Sequence, residues 1–119
     1  MVMPRILVVD DEPLIGMLLE DWLAELGYET VGPATSLGAA LALIEGARLD
    51  AAIIDVSLGQ QSGYPVAAAL SARGIPFAFA TGHAGGALEV PYDSAPVLFK
   101  PFDYQAVKGV MAAMNLRMR

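Results

Sequence analysis

Short, unbroken apolar runs along the chain alternate with stretches whose apolar residues recur every three or four positions. Ile6-Leu7-Val8-Val9 is a continuous run with β-branched residues, the pattern of a strand buried on both faces. It stops at Asp10-Asp11-Glu12. Pro13 suits the first turn of a helix, where a missing N–H costs nothing. Leu14, Ile15, Leu18, Leu19, Trp22, Leu23 and Leu26 mark that helix's apolar face, and Gly27 stops it. Glu29 to Gly32 predicts a second strand. Thr35 or Ser36 then caps a helix carrying Leu37, Leu41 and Ile44 and closed by Gly46. Ala51-Ala52-Ile53-Ile54 is a third buried strand, ending on Asp55. A polar, glycine-containing loop from Val56 to Gly63 leads into an Ala-rich helix from about Tyr64 to Arg73, ended by Gly74. Phe77 to Ala80 forms a fourth strand ending on Thr81, and Val97-Leu98-Phe99 a fifth ending on Lys100-Pro101. Between them, the glycines and prolines of residues 82–96 leave room for one short helix at most. Asp103 caps a last helix carrying Val107, Val110, Met111 and Met114.

Strand and helix therefore alternate about five times, which predicts an α/β fold. Its five-stranded parallel sheet is doubly wound, with helices on both faces and right-handed crossovers. Ligands of such folds bind beyond the carboxyl ends of the strands, at the switch in strand order. Four strands end on a polar functional group: Asp10-Asp11, Asp55, Thr81 and Lys100. Arrival at one sheet edge turns scattered residues into a site.

Composition narrows what that site can serve. The 119 residues suit one domain, 1–119, with no output domain beside it; 55% are hydrophobic and 17% charged, as in a well-buried globule. Gly, Pro or a charge interrupts every apolar run before the roughly 18 residues that a membrane span needs. The first strand starts too early for a signal peptide, and the absence of cysteine fits a reducing cytoplasm. Thirteen acidic residues against seven basic ones give a net charge of −6, and Arg5, Arg48, Arg73, Lys100, Lys108, Arg117 and Arg119 are scattered. Nucleic acid, which needs clustered basic residues, is excluded as a partner, and a protein or a cation is favoured.

Three carboxylates converging at one edge repel one another, so either one is protonated or a cation joins them. An all-oxygen set selects a hard ion, Mg²⁺ before Ca²⁺, because few protein ligands are on offer and waters must complete the shell. A carboxylate is also a nucleophile toward phosphoryl groups. The metal would offset repulsion between attacking and phosphoryl oxygens, Lys100 would add positive charge, and Thr81 a hydroxyl donor. Taken singly, each residue has a plainer role: helix capping for Asp10-Asp11-Glu12, a turn at Asp55, a strand end at Thr81 and a solvated charge at Lys100. Their combination in one order is what argues for chemistry. His83 is read as a loop residue, and Trp22 and the methionines of the last helix as packing.

That order resembles the response-regulator receiver domain over essentially the whole chain, and Pro76-Phe77-Ala78-Phe79-Ala80-Thr81-Gly82 resembles the PFxFATG signature of the FAT GUY subgroup of single-domain receivers. The resemblance implies a flavodoxin-like sheet of strand order 2-1-3-4-5 and five helices, the fourth short or irregular. It makes Asp55 the phosphoacceptor. Mg²⁺ would be held by Asp11 and Asp55 directly, by Asp10 directly or through water, and by the backbone carbonyl of Ser57. Lys100 pairs with the phosphoryl group and Thr81 moves toward it. The donor would be a histidine kinase or a histidine phosphotransfer protein, and the output a protein–protein contact in the cytoplasm. A homodimer would form through the last strand and helix. No turnover enzyme is implied; a phosphatase of the D-x-D-x-T type is disfavoured because Glu12 stands two residues after Asp10.

Departures from the pattern keep a second reading open, a receiver-like adaptor that works without phosphorylation. Gly59 stands where most receivers have Pro, which predicts a looser loop after Asp55. Val97 replaces the aromatic whose rotation usually reports the state of the Thr. His83 stands where the subgroup often carries Tyr.

Overall fold

Strand β1 (Arg5–Val9) shows how the sheet is built, because its consecutive residues feed two different cores. In a computed structural model describing residues 3–82, 88, 91–92 and 94–114, Leu7 and Val9 point to one face and Ile6 and Val8 to the other. The two-residue period of a strand sends neighbours to opposite faces, so an unbroken apolar run is what a strand covered on both sides requires. β3 (Ala51–Asp55) and β6 (Phe77–Thr81) repeat the device, with Ile54 and Phe79 on the first face and Ile53 and Ala78 on the second. With β2 (Glu29–Ala34) and β7 (Val97–Phe99) they make a five-stranded parallel sheet in the order β2-β1-β3-β6-β7. The missing numbers belong to a separate two-stranded antiparallel ribbon, β4 (Ser57–Leu58) and β5 (Gln61–Ser62). Counting the sheet strands alone, this is the expected order 2-1-3-4-5.

Helices α2 (Leu37–Gly46) and α3 (Tyr64–Ala72) cover the first face; α1 (Pro13–Glu25) and α4 (Tyr104–Ala113) cover the second. Their ends follow local chemistry. Pro13 occupies the first turn of α1, and Gly27 takes a φ of 94° beyond its end. Ser36, rather than Thr35, caps α2 by accepting from the Ala39 N–H, and Asp103 caps α4 through Ala106. Gly74, at φ 70°, follows α3.

The structure departs from the sequence expectation at several places. β2 runs past Gly32 to Ala34, because an edge strand tolerates Pro33; the pairing with β1 is irregular between Leu7 and Val9. Leu14, expected on the buried face of α1, is 66% exposed, and Gly16 lies in its place against Pro33. The expected loop of residues 56–63 holds the β4–β5 ribbon. Four helices stand among the described residues; the expected short fourth helix falls within 82–96, most of which lies outside them.

The ribbon returns the chain to Gly63, where packing is tightest. A Cβ there would lie 2.1 Å from the Asp55 carbonyl oxygen and 2.9 Å from Ile54 Cγ2. Gly63→Ala should therefore destabilise the fold by about 2 kcal/mol or more in urea unfolding. Gly109→Ala, mid-helix with nothing within 4 Å of the new methyl, should gain up to about 1 kcal/mol.

Candidate functional site

At the carboxyl edge of the sheet, main-chain bonds lace the ends of the five strands to their neighbours. The Asp10 N–H donates to the Ala34 carbonyl (3.0 Å), Val56 N–H to Ala80 (2.9 Å), and Lys100 N–H to Thr81 (2.8 Å). Because β1 and β3 are neighbours whose onward connections go to opposite sides of the sheet, the crevice between their ends is the switch point. Asp10 and Asp55 stand on its two sides. Asp10, Asp55 and Thr81 are the buried polar side chains among the described residues, and all three are here. The crevice, about 350 Å³, is lined by Asp55 and Thr81 with Asp11, Glu12, Ser57 and Lys100, and Asp10 lies against Lys100. A larger groove of about 690 Å³ runs between β7 and α4, but its lining is mainly apolar and Asp103 is its one acid.

The electrostatics centre on Lys100. Its Nζ lies 3.0 Å from Asp10 Oδ2, 2.9 Å from Glu12 Oε1 and 3.0 Å from Asp55 Oδ2. Burial alone would lower the lysine's pKa, but its contacts with the Glu12, Asp10 and Asp55 carboxylates outweigh it and raise the pKa above its ordinary value. Asp55 is pushed up to about 6, chiefly by burial, with the Asp10 charge adding to it; the Ser57 N–H on Oδ1 (3.0 Å) and Lys100 oppose the rise. Asp10 Oδ1 accepts from the Glu12 N–H at 2.9 Å, while its Oδ2 is buried without an aligned donor despite its nearness to Nζ. Asp11 is exposed, and its Oδ2 accepts from the Gly59 N–H at 2.9 Å.

This donor set fits a divalent cation. Asp10, Asp11, Glu12 and Asp55 each offer a carboxylate oxygen, and these lie within 4.8 Å of one another. Four carboxylates against one ammonium leave an excess of negative charge, and a buried, unaligned Asp10 oxygen adds a ligand position. All-oxygen donors suit Mg²⁺ or Ca²⁺ rather than a soft metal.

A model of the response regulator receiver domain matches residues 6–111. The chain belongs to that family. SdrG from Sphingomonas melonis Fr1 is 45% identical, with a TM-score of 0.85 over 95% of this receiver and 97% of that chain. The transcriptional regulatory protein PdtaR of Mycobacterium tuberculosis is 37% identical over 71 residues, 60% of this chain and 35% of that protein. The positive alginate biosynthesis regulatory protein of Pseudomonas aeruginosa is 39% identical over 71% of this chain and 36% of its own length. The chain thus spans about a third of the length of these curated relatives. Receivers are the phosphoacceptor modules of two-component signalling rather than ordinary enzymes.

Every residue singled out from the sequence reaches the crevice: Asp10, Asp11, Ser57, Asp55, Thr81 and Lys100. Two partners were not legible. Glu12 reads as part of an acid run before a helix, yet its side chain reaches Lys100, 88 residues away. Gly59 was expected to loosen its loop, but it donates an N–H to Asp11 that proline lacks, at a φ of 63° that proline cannot adopt. Phe79, the register partner of Val97, forms an aromatic cluster with Phe77, Tyr64 and Tyr92, with centroids 5.4–6.0 Å apart. It ties Tyr92 to the strand that ends on Thr81. His83 lies outside the described residues.

The raised pKa of Asp55 makes a stability prediction for the metal-free protein. Its ionised form is disfavoured in the fold, so its contribution is fully present below pH about 4 and is lost as pH rises through about 6. In EDTA, Asp55→Asn should be more stable than the parent at pH 7.5, by about 1–3 kcal/mol. The gain should shrink toward pH 4 when thermal melts are compared across that range.

Proposed function

We propose that this receiver accepts a phosphoryl group on Asp55 from a phosphohistidine of a kinase or phosphotransfer protein. The observation that carries the reading is the buried Asp55 carboxylate, set beside Asp10 and 3.0 Å from Lys100 at the floor of an open acidic crevice. An Asp55 oxygen attacks phosphorus while the P–N bond to the donor imidazole breaks, and its electron pair leaves on the imidazole nitrogen. Lys100 faces the charge of the transferring group, and the Thr81 hydroxyl donates to it. Asp10, Asp11, Asp55 and the Ser57 carbonyl would hold Mg²⁺, which when bound neutralises charge between the attacking carboxylate and the phosphoryl oxygens. The Ser57 N–H and the Gly59 N–H keep Asp55 and Asp11 oriented for this.

The product is a labile acyl phosphate rather than a released one, so the activity is a switch and not turnover. Its readout is proposed to be a protein–protein contact in the cytoplasm; among the described residues no helix is long and apolar enough to cross a membrane. Single-domain organisation is supported by the near-complete mutual coverage with SdrG, and placement in the FAT GUY subgroup by residues 76–82. A homodimer through β7 and α4 would use the edge strand and its apolar groove. Val97 favours one competing reading, the phosphorylation-independent adaptor, since the usual aromatic partner of the Thr is absent at that position.

Intact-mass measurement after incubation with Mg²⁺ and acetyl phosphate tests the assignment. The parent should gain one phosphoryl group, Asp55→Ala none, and excess EDTA should prevent the gain. Lys100→Ala should load at least about tenfold more slowly. A parent that gains nothing would overturn the reading in favour of the adaptor.

A further inference from the structure

Glu12 begins α1 as its N-cap residue, but its side chain makes no capping hydrogen bond. A carboxylate at that place would ordinarily lie over the exposed N–H groups of the first turn, where the helix dipole favours it. Instead Oε1 is 2.9 Å from Lys100 Nζ. The main chain on either side is fixed: the Glu12 N–H donates to Asp10 Oδ1, and the Glu12 carbonyl accepts from the Gly16 N–H. Only the side chain is free to swing.

An ammonium group has three protons, and three carboxylate oxygens surround this one at 2.9–3.0 Å. Two of those protons go to Glu12 and Asp55, and Asp10 Oδ2 is near without alignment, so an arriving phosphoryl oxygen meets an ammonium already ringed by carboxylates. The carboxylate such a group displaces is the one that leaves at least cost. The Asp10 and Asp55 side chains are 1% and 6% exposed, so releasing either leaves a charge stranded away from water. The Glu12 side chain is 60% exposed and rehydrates as it leaves. An incoming phosphoryl dianion also repels it.

We infer that Glu12 is a built-in competitor for Lys100. Its carboxylate holds, in the unloaded receiver, the ammonium that the phosphoryl group needs, and so weakens loading of Asp55. Glu12 is thus a positioning residue that acts through Lys100, and the inference rests on the phosphoacceptor role proposed for Asp55.

The test uses Glu12→Gln, which keeps the shape and removes the charge, with Glu12→Ala beside it. Beryllofluoride binding in Mg²⁺ is measured by titration at low salt, and acetyl phosphate loading by intact mass. Exposed ion pairs are worth a factor of about 1.5 to 5 in an equilibrium. Beryllofluoride affinity should accordingly rise about threefold in both variants, with faster loading. The advantage should fall toward one in molar salt, where exposed pairs are screened. The sign matters, because loss of a merely structural contact would weaken binding. Affinity that is unchanged or lower in the variants, while the parent binds, would overturn the inference. So would a drop in Mg²⁺ affinity measured alone, which would make Glu12 a metal ligand. If parent and variants alike neither bind nor load, and match an Asp55→Ala control, the phosphoacceptor reading itself falls and this inference with it.

Discussion

The crevice depends on a charge balance that the protein does not complete by itself. Two buried carboxylates, Asp10 and Asp55, face one lysine across about 3 Å, with two more acids at the rim. Lys100 is held charged by its partners, yet it cannot neutralise four acids. Asp55 answers by holding its proton more tightly than a free carboxyl does. The site is kept in an unresolved state that a divalent cation and a phosphoryl group would each relieve in turn. Such frustration is the usual condition of a functional site, where local consistency is given up for chemistry.

Nearly all of the architecture could be read from the chain because its signals are local and of two distinct periods. Runs such as Ile6–Val9 and Ala51–Ile54, short and bounded by polar residues, read as strands covered on both sides, and the stripe of α1 reads as a surface helix. Pro13, Ser36 and Asp103 mark helix starts through hydrogen bonds made within three or four residues. The gathering of Asp10, Asp55, Thr81 and Lys100 was legible for a different reason: each ends a strand or follows one, and parallel strands deliver their carboxyl ends to one edge.

What escaped the sequence is whatever depends on meetings between distant main-chain and side-chain groups. The Glu12–Lys100 pair joins residues with no pattern linking them. Gly59 looked like the loss of a stiffening proline, whereas its value lies in the N–H that proline would remove and in a backbone angle that proline forbids. Leu14 carried the right apolar label and the wrong exposure, because Gly16 lets α1 sit close on Pro33 and turns Leu14 outward. The ribbon of residues 57–62 is too short for any periodicity to announce.

Gly63 carries one more consequence. Its Cα sits against the Asp55 carbonyl with no room for a methyl group, and its N–H donates to the Val56 carbonyl at 2.7 Å. The contact therefore has no play: it behaves as a strut between the end of β3 and the first turn of α3. Tyr64, the next residue, lies stacked on Tyr92 with its ring nearly parallel and 5.7 Å away. A backbone adjustment at Asp55 therefore bears directly on Gly63, and Gly63 leads into Tyr64 and its ring partner Tyr92.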